Sequence, residues 1–548
     1  MAANTVACEN GELLIAAAPD VRIRDDEIVF ITKQALLEPG HGDRSKEDYL
    51  LCWLRTTAPE DGTGKDGSDA AEKSLPPFQL STQLLAPSAV QQLPPGVLDR
   101  HLLTAIPPVI RAATTATAVS SSSLHVVVST QSGTGQAESF YDAAVRPLLA
   151  CFGLRAAGGG SEPVDRDDGV AAAMKAAAAT YNVLFTSSPQ SVAAFARTLA
   201  AEENATTTTG APVVILLSGD GGVVDLLNGV DAQGHGGPPL ATIALLPLGT
   251  GNALFHSLHK PLYAAAAAGG QPTATTTTTT TATATTGPSP FVWGLRTLVQ
   301  GRAAPLPNFE ATFAPGAHTV RYVPENGGGT NDSDRAGDAS APPLHERDEP
   351  VARLRGAIVA SYGFHAQLVW ESDTPAYRKH GAQRFGMAAQ ALLETSHAYA
   401  ATVQAWPPLA TRDGATESNE TGPPRLLGQR FNYVLATLVS NLERTFTISP
   451  ASRPLDGQLR LVHFGAVGGA RTMEVMMAAY NDASGEPRQD DEERVGYEAV
   501  EALEVVVHEH DARWRKVCID GTIVEIPEGG WMRVRKAAQP VLQIIVNN

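Results

Sequence analysis

The chain has 548 residues, a formal net charge of −17 at pH 7 and an isoelectric point near 5.3. This acidic balance argues against a nucleic-acid-binding protein, whose contact surface would be basic. The length suffices for two large domains, each with its own core. The four cysteines, Cys8, Cys52, Cys151 and Cys518, are scattered without a C-x-x-C pair, which fits neither a zinc site nor a disulfide framework.

The N-terminal residues show no basic start followed by an apolar core, so no signal peptide is predicted. No run of about 18 apolar residues could span a bilayer. We therefore expect a protein of a reducing, cytoplasmic compartment, whose contact with membranes would be transient and peripheral. Residues 513–516 (RWRK) and 531–533 (WMR) are candidate contact patches, although edge strands are the alternative.

Residues 1–115 contain short strand-like segments separated by turn-rich stretches, which predicts a β-rich N-terminal extension. A Ser/Thr/Ala-rich linker at 114–123 separates it from the next domain. Over 122–262 the pattern alternates between strand and helix. The strands LHVVV, YNVLFT, VVILL and TIALL predict a parallel, Rossmann-like sheet with helices on both faces. Ligands of such sheets bind at the carboxyl ends of the strands.

The Ala/Thr-rich stretch 263–290 cannot build a core and is predicted to be a disordered insertion. Short strands dominate from 291 to 548, which favours a C-terminal β-sandwich domain. Polar stretches near 325–350, 409–425 and 484–494 are predicted to be disordered loops of this domain.

Three glycine-rich turns follow strands of the parallel sheet: STQSGTG at 129–135, SGDGG at 218–222 and LPLGTGNAL at 246–254. Turns at one sheet edge converge, so they predict a phosphate cradle made of backbone N–H groups. Neither a P-loop nor a dinucleotide G-x-G-x-x-G is present. The carboxylate of Asp220 would repel phosphate, so it is expected to act on a neighbouring group or a metal ion. Asp225 could orient the site or a metal ion, or be an ordinary polar residue of the following helix.

SGDG followed by Asn228 and Gly229, and then by LPLGTGNAL, resembles the diacylglycerol kinase catalytic superfamily, with the greatest similarity to sphingosine and ceramide kinases. The likeness continues through SYGFHAQLVWES, YRKHGAQRFG, SRPLDGQLRLVHF and CIDGTIVEIP, and it covers Leu124 to the C-terminus. It implies a nucleotide-binding α/β domain, a C-terminal β-sandwich, and ATP with Mg²⁺ in the cleft between them. The implied acceptor is the primary hydroxyl of a lipid.

By this resemblance Asp220 matches the general base, and Asp520 matches an acidic residue beside the phosphates and the metal. No metal ligand is assigned. The residues predicted to bind the nucleotide are Ser132, Gly133, Gly135, Thr186, Ser218, Gly219, Gly221, Gly222, Gly249, Thr250, Gly251, Asn252, Arg378, Arg384 and Asp520.

These roles agree with the needs of phosphoryl transfer, which are neutralised phosphate charge and a positioned base. Arginines neutralise phosphate well because the guanidinium group binds its oxygens in bidentate fashion. Arg378 and Arg384 are six positions apart, so they can reach one phosphate group only if the chain near Gly381 departs from a regular helix.

Two departures from the family pattern affect the predicted ligands. The first glycine turn lacks the usual Asn-Pro start and basic residues, which would weaken ATP binding by about 1.5 to 3 kcal/mol for each lost charged hydrogen bond. Either Val369 or Glu371 occupies the position at which sphingoid-base kinases carry an aspartate. A sphingoid base is the acceptor that the resemblance favours. Val369 at this position would make ceramide or diacylglycerol more plausible.

Two alternatives to a lipid kinase stay open. One is a nucleotide-binding regulator that kept the fold and lost turnover, and the depleted first turn favours it. The other is a soluble-substrate kinase of the NAD kinase type, which shares a GDG turn but not the LPLGTGNAL block. The oligomeric state is not predicted.

Overall fold

A computed structural model describes residues 6–9, 12–15, 18–37, 47–56, 77–114, 124–133, 135–157, 179–205, 211–229, 238–269, 287–322, 345–381, 383–408, 422–480 and 495–547. All structural statements below concern these residues. They form two large sheets, one containing parallel strands and one antiparallel, together with two small N-terminal sheets.

The N-terminal extension contains two small sheets. Its strands are β1 (Val6–Glu9), β2 (Glu12–Ile15), β3 (Ala18–Arg24), β4 (Ile28–Lys33), β5 (Tyr49–Thr56), β6 (Phe78–Leu85) and β7 (Leu102–Leu103). Its helices are α1 (Gln34–Leu37), α2 (Pro87–Val90), α3 (Val97–His101) and α4 (Pro108–Thr114), with a 3₁₀ turn at Asp25–Glu27. Strands β1 to β3 form an antiparallel sheet, and the second sheet has the order β6-β5-β4-β7.

The extension shares a core with the following domain. The Phe78 ring lies 4.9 Å from the Phe140 ring and 5.0 Å from the Phe291 ring, both in edge contact. The guanidinium group of Arg296 donates hydrogen bonds to the carbonyl oxygens of Ile28 and Asp25, each at 2.8 Å. The extension is therefore packed against the α/β domain rather than tethered to it.

The α/β domain is built on a seven-stranded sheet of order β13-β27-β12-β11-β8-β10-β9. Its strands are β8 (Leu124–Val128), β9 (Arg155–Ala156), β10 (Thr180–Phe185), β11 (Val213–Ser218), β12 (Ala241–Pro247), β13 (Arg302–Pro305) and the C-terminal β27 (Leu542–Val546). Its helices are α5 (Ala137–Phe140), α6 (Arg146–Cys151), α7 (Ser191–Ala205), α8 (Asp220–Asn228), α9 (Ala253–Gly269) and α10 (Pro290–Gln300), with a π-helical turn at Tyr141–Val145.

Neighbouring strands of this sheet from β9 to β27 are parallel, and β13 alone pairs antiparallel. Every residue of β11 and β12 is buried, because helices cover both faces, and this explains why their sequences are continuous apolar runs. The predicted parallel α/β sheet is therefore present. The chain returns after the antiparallel domain to add β27 beside β12, which the sequence did not indicate.

The Ala/Thr-rich stretch departs from the disordered insertion predicted for 263–290. Helix α9 continues to Gly269, since alanine has the highest helix propensity, and α10 begins at Pro290. Residues 270–286 lie outside the described part of the chain.

The second domain contains a curled antiparallel sheet of thirteen strands. Its strands are β14 (Phe309–Phe313), β15 (His318–Tyr322), β16 (His345–Pro350), β17 (Arg353–Gly356), β18 (Val359–Gly363), β19 (Tyr399–Trp406), β20 (Arg425–Thr437), β21 (Arg460–Gly465), β22 (Gly496–Ala499), β23 (Ala502–Val507), β24 (Lys516–Ile519), β25 (Thr522–Glu525) and β26 (Trp531–Lys536). Its helices are α11 (Phe364–Ser372), α12 (Pro375–Arg378), α13 (Gln383–Thr395) and α14 (Gly468–Tyr480), with a 3₁₀ turn at Ala512–Trp514.

A second, β-rich domain was predicted as a sandwich of two sheets, but its strands form one continuous ladder. The thirteen-residue strand β20 is the reason. Its first half pairs with β19, whereas its second half pairs with β18 and β21, so one strand joins what would otherwise be two layers.

The loop predicted near 325–350 is partly wrong, because 345–350 is strand β16, paired with β15. Residues 323–344 lie outside the described part of the chain. The same holds for most of the loop predicted at 409–425 and for the whole of 484–494.

A side-chain amide joins the two domains beside the glycine turns. Asn228, the last residue of α8, donates from Nδ2 to the carbonyl oxygen of Arg355 at 2.8 Å and accepts from the Arg355 N–H at 2.8 Å. The amide thus pairs with strand β17 as another peptide group would, which places the C-terminal end of α8 at the domain boundary.

Candidate active site

The three glycine turns meet at the carboxyl ends of β8, β11 and β12, as predicted. A Cβ added at Gly249 would lie 2.3 Å from Gly219 Cα, and one added at Gly133 would lie 2.4 Å from the Leu248 carbonyl oxygen. Gly133 also has a φ of +56°, which disfavours other residues. The turns are therefore in backbone-to-backbone contact, which only glycine permits.

A cavity of about 870 Å³ opens at this edge of the sheet. Its wall combines the three turns with residues of the second domain, so it lies in the cleft between the domains. The lining residues are Ser129, Gln131, Ser132, Gly133, Thr186, Ser188, Pro189, Val192, Ser218, Gly221, Gly222, Asp225, Gly249, Thr250, Asp373, Arg378, Gly381 and Arg384. We call it the nucleotide cavity.

The floor of the nucleotide cavity is the N-terminus of α8, where Gly221 and Gly222 follow Asp220. The positive end of the helix dipole favours an anion there, although the Gly222 N–H already donates to the Gly219 carbonyl oxygen at 3.2 Å. The N–H of Gly219, which was predicted to bind a phosphate, already donates to Ser132 Oγ at 3.0 Å. Ser132 thus holds the first turn against the second. Thr186 Oγ1 accepts from the Thr130 N–H at 3.0 Å, which holds the first turn against the end of β10.

Both predicted arginines reach the nucleotide cavity, and Asp373 holds them together. Arg378 donates from Nε to Asp373 Oδ1 at 2.9 Å and from Nη2 to Oδ2 at 2.5 Å, while Arg384 donates from Nη1 to Oδ1 at 3.1 Å. The chain between them leaves the helix at Gly381, whose φ is +54°. This is the break that their six-residue spacing required.

Asp220 is partly buried at the first position of α8, and both of its carboxylate oxygens are in use. Oδ2 accepts from the Ala253 N–H at 2.7 Å and Oδ1 from the Leu254 N–H at 3.1 Å, so the side chain caps helix α9. Burial raises the pKa of Asp220, and these two backbone hydrogen bonds oppose the rise. The carboxylate therefore fixes the third glycine turn relative to the second. Each oxygen keeps a further lone pair for a ligand.

Asp520 lies in a tight turn between β24 and β25 with a φ of +47°. Its carboxylate accepts hydrogen bonds from the N–H groups of Ala357, Ile358 and Val359, the shortest at 2.5 Å. Burial raises its pKa to about 7, and the charge of Asp220 contributes to the rise. The resemblance implied that Asp520 lies beside the phosphates. The structure places Asp520 on the wall of a second cavity, where its carboxylate holds the neighbouring strand, and its position beside the phosphates stays a prediction.

Four other predicted nucleotide contacts, Gly135, Gly219, Gly251 and Asn252, do not line the nucleotide cavity. Asn252 is buried and has a φ of +50°. Its Oδ1 accepts from the Gly249 N–H and its Nδ2 donates to the Gly249 carbonyl oxygen, both at 2.9 Å. Its amide therefore holds the shape of the third turn.

The second cavity, of about 590 Å³, lies beside the nucleotide cavity, and we call it the acceptor cavity. The two cavities share Ser132, Gly133, Gly221, Asp225, Gly249, Thr250, Asp373 and Arg384. The acceptor cavity adds a mixed wall that includes Gly219, Asp220, Arg321, His365, Val369, Trp370, Phe385, Leu442, Asp520 and Ile523. Asp220 therefore borders the acceptor cavity while the arginines reach the nucleotide cavity.

The structure distinguishes Val369 from Glu371, the two residues that could occupy the substrate position. Val369 lines the acceptor cavity. Glu371 does not, because its carboxylate accepts from Arg513 Nε at 2.9 Å and from Gln367 Nε2 at 2.8 Å. The residue at the cavity wall is thus apolar.

Sequence reasoning missed Asp373 and His365. The sequence places a carboxylate five residues before Arg378, but no periodic pattern marks it as the partner of both arginines, because the chain reverses at Gly381. His365 follows a glycine with a φ of +90° at the start of α11, and only the fold shows that it reaches the acceptor cavity.

A divalent cation would have one suitable free carboxylate here. Among the described residues no group of three or more His, Cys, Asp or Glu side chains converges on one point. Asp225 lines both cavities, and burial raises its pKa to about 6. One carboxylate together with phosphate oxygens and water is a common way to hold Mg²⁺, so the residues present fit such an ion.

Comparisons with known proteins identify the class of the α/β domain. Residues 154–283, which contain the second and third glycine turns, match the diacylglycerol kinase catalytic domain family. The chain therefore carries a catalytic domain of the diacylglycerol kinase superfamily, and the resemblance seen in its sequence is confirmed at that level. Such a domain implies a lipid kinase that uses ATP. Particular similarity to sphingosine or ceramide kinases is not shown by this match.

Solved structures of chains assigned as diacylglycerol kinases from Bacillus anthracis str. Sterne are similar to this chain. One has 12% sequence identity and a TM-score of 0.43, covering 79% of this chain and 98% of its own. Another has 12% identity and a TM-score of 0.38, with coverage of 77% and 96%. No curated protein matches the chain.

Replacing Gly221 with Ala should separate ligand binding from folding. No protein atom lies within 4 Å of a Cβ added there, and the position is helical, so we expect the melting temperature to stay the same or rise slightly. The new methyl group would enter both cavities where the phosphates are expected, so ATP affinity should fall about 10-fold or more. Gly386→Ala, at an equally open helical position outside both cavities, is the matched control. Calorimetric titration with ATP measures the effect, and unchanged affinity in Gly221→Ala would contradict the assignment of the floor.

Proposed function

We propose that this chain is an ATP-dependent lipid kinase that transfers the γ-phosphate of ATP to a primary hydroxyl of a lipid. The observation that carries the proposal is the arrangement of the two cavities. A phosphate-binding cavity with two arginines shares Gly221, Gly249 and Thr250 with a cavity that Asp220 borders. A γ-phosphate at this shared edge would meet an acceptor hydroxyl from the other side.

In the proposed reaction the acceptor oxygen forms a bond to the γ-phosphorus while the bond from that phosphorus to the β,γ-bridging oxygen breaks, so ADP leaves. The hydroxyl proton passes to Asp220, whose raised pKa suits a base that must take up a proton near neutral pH. Arg378 and Arg384 exchange their contacts with Asp373 for phosphate oxygens and neutralise the charge of the transferring group.

We propose Asp225 as the protein ligand of a Mg²⁺ ion bound together with ATP. The ion would neutralise charge on the β- and γ-phosphates, which is its usual contribution to phosphoryl transfer. Asp225 is suited because it lines both cavities and is not held by a partner among the described residues.

A lipid acceptor is favoured by the apolar part of the acceptor cavity, which Val369, Trp370, Phe385, Leu442 and Ile523 form. The same wall disfavours a soluble nucleotide acceptor of the kind that an NAD kinase uses. Sphingoid base, ceramide and diacylglycerol are the candidate acceptors.

A catalytically weak nucleotide-binding regulator is the second candidate function. Its support is that Asp220 already caps α9 and that Ser132 already takes the Gly219 N–H. Both contacts would then serve the fold alone.

Transfer of radiolabelled phosphate from [γ-³²P]ATP to these three lipids in mixed micelles tests the proposal. We expect label in the lipid phase to increase with time for at least one of them and to require a divalent cation. ATP binding without any labelled lipid would instead support the regulator.

We also propose that the enzyme meets its substrate at a membrane surface through exposed side chains of two packed helices. Met473, Met477 and Tyr480 lie on α14, at spacings that place them on one helical face, and are 40%, 49% and 43% exposed. Met387, 40% exposed, lies on α13, whose Phe385 lines the acceptor cavity. In the two patches expected from the sequence, Trp514 and Met532 are buried, whereas Trp531 is partly exposed. Among the described residues no helix is long and apolar enough to cross a membrane.

Unpaired thiols at Cys52, Cys151 and Cys518 are consistent with the cytoplasmic location that we propose.

Changing Met473 and Met477 together to Ser should weaken binding to lipid vesicles on the order of 10-fold, because each methionine side chain contributes apolar area to the contact. Cosedimentation with neutral phosphatidylcholine vesicles measures this. Leu426→Ser removes an apolar side chain that is 57% exposed on β20, away from α13 and α14, and should bind as the parent does. Equal loss in both variants would refute a specific contact face.

A further inference from the structure

Three of the four carboxylates that line the acceptor cavity are already partnered. Its carboxylates are Asp220, Asp225, Asp373 and Asp520. Asp220 accepts two backbone N–H groups, Asp520 accepts three, and Asp373 binds both arginines. Asp225 also lines the nucleotide cavity, where the proposed metal ion would occupy it.

The cationic side chains Arg321 and Arg384 stand on the same wall. An ammonium group entering this cavity would leave water and would meet the apolar side chain of Val369 at the position where a carboxylate could otherwise pair with it. The desolvation of an unpaired charge makes such binding unfavourable.

His365 offers a neutral polar group instead. Its Nδ1 lies 2.7 Å from Ser361 Oγ in the middle of β18, and no other hydrogen bond of this ring exists within the described part of the chain. Nε2 is therefore the polar atom that the ring can offer to the cavity it lines. Burial lowers the pKa of His365 to about 4, so the imidazole is uncharged at neutral pH.

We propose that the acceptor is a lipid with an uncharged polar headgroup, and that His365 Nε2 determines this specificity by hydrogen bonding to that headgroup. An amide or ester group beside the reacting hydroxyl fits, because imidazole can donate to a carbonyl oxygen or accept from an amide N–H, depending on its tautomer. The inference rests on the proposed lipid kinase function and narrows its substrate class.

Two acceptors that share the sphingoid chain and the reacting hydroxyl, one with an ammonium group and one with an uncharged amide, test the inference with the full-length protein: sphingosine and its N-octanoyl derivative, compared in the same mixed micelles. We expect the kcat/KM of the parent to be at least 10-fold higher for the N-acylated form. His365→Phe keeps a ring of similar size without the nitrogen and should raise KM for the N-acylated form by roughly 3- to 10-fold, the range for one hydrogen bond. Its KM for ATP should not change. His365→Gln, which keeps a donor and an acceptor near the position of Nε2, should recover at least half of the loss.

The possible outcomes distinguish a failure of the headgroup inference from a failure of the lipid kinase proposal. If neither acceptor nor a diacylglycerol is labelled while ATP binds, the lipid kinase proposal fails. If lipids are labelled but sphingosine is used as well as its N-acylated form, the kinase stands and the uncharged headgroup is wrong. If His365→Phe leaves KM for the N-acylated lipid unchanged, or raises KM for ATP equally, His365 does not determine specificity.

Discussion

Asp220→Asn should lower the rate of lipid phosphorylation by about 10²- to 10⁴-fold, the usual contribution of a general base. The amide cannot accept the hydroxyl proton, although its size and position are nearly unchanged. ATP affinity should stay within about 3-fold, because the carboxylate borders the acceptor cavity and not the nucleotide cavity. Single-turnover transfer from labelled ATP gives the rate, and calorimetric titration gives the affinity.

The capping contacts of Asp220 call for a control, since the same substitution also perturbs the start of α9. Asn keeps one oxygen for either the Ala253 or the Leu254 N–H, so the free energy of unfolding should change by less than about 2 kcal/mol. Ser289→Ala removes a comparable cap, where Ser289 Oγ accepts from the Val292 N–H at 3.3 Å, at the start of α10. That variant should lose similar stability and keep its activity. If Asp220→Asn turns over like the parent, the carboxylate serves only the fold and the regulator becomes the better description.

The paired arginines provide the second large effect. Arg384→Ala or Arg378→Ala should reduce kcat/KM for ATP by about 10- to 100-fold each, since a hydrogen bond to a charged group contributes about 1.5 to 3 kcal/mol. Lysine at either position should restore only a small part, because an ammonium group cannot bind two phosphate oxygens in the planar way that guanidinium does. The two losses should not add in the double variant, because Asp373 links the side chains.

Arg471→Ala is the matched control for this pair. Arg471 forms an exposed ion pair with Glu474 on α14, outside both cavities, and its loss should leave kcat/KM for ATP within about 2-fold of the parent. Steady-state kinetics at varied ATP concentration measure all of these variants. Arginine variants that behave as Arg471→Ala does would remove the basis for placing the γ-phosphate between the two cavities.

The sequence of each segment was sufficient to predict those parts of the site that depend only on residues close together along the chain. An apolar run followed by SGDGG predicts a buried strand, a tight turn and a helix start, and β11 and α8 have this form. The convergence of the three glycine turns was predicted, and an added Cβ at Gly133, Gly219 or Gly249 would lie only 2.3 to 2.7 Å from a neighbouring backbone atom. The helical break at Gly381 also followed, because two arginines six positions apart cannot otherwise face one ligand.

What the sequence by itself determined is therefore the α/β class, the three glycine turns at one edge of the sheet and the candidate base. Only the tertiary structure determined which hydrogen-bond partners those residues have. Asp220 caps a helix that begins 33 positions later, and Asp520 holds a strand about 160 positions before it. Asp373 binds both arginines, and Val369 rather than Glu371 lines the acceptor cavity. These outcomes depend on which groups the fold brings within hydrogen-bond distance and which it buries, and no local spacing along the chain encodes either.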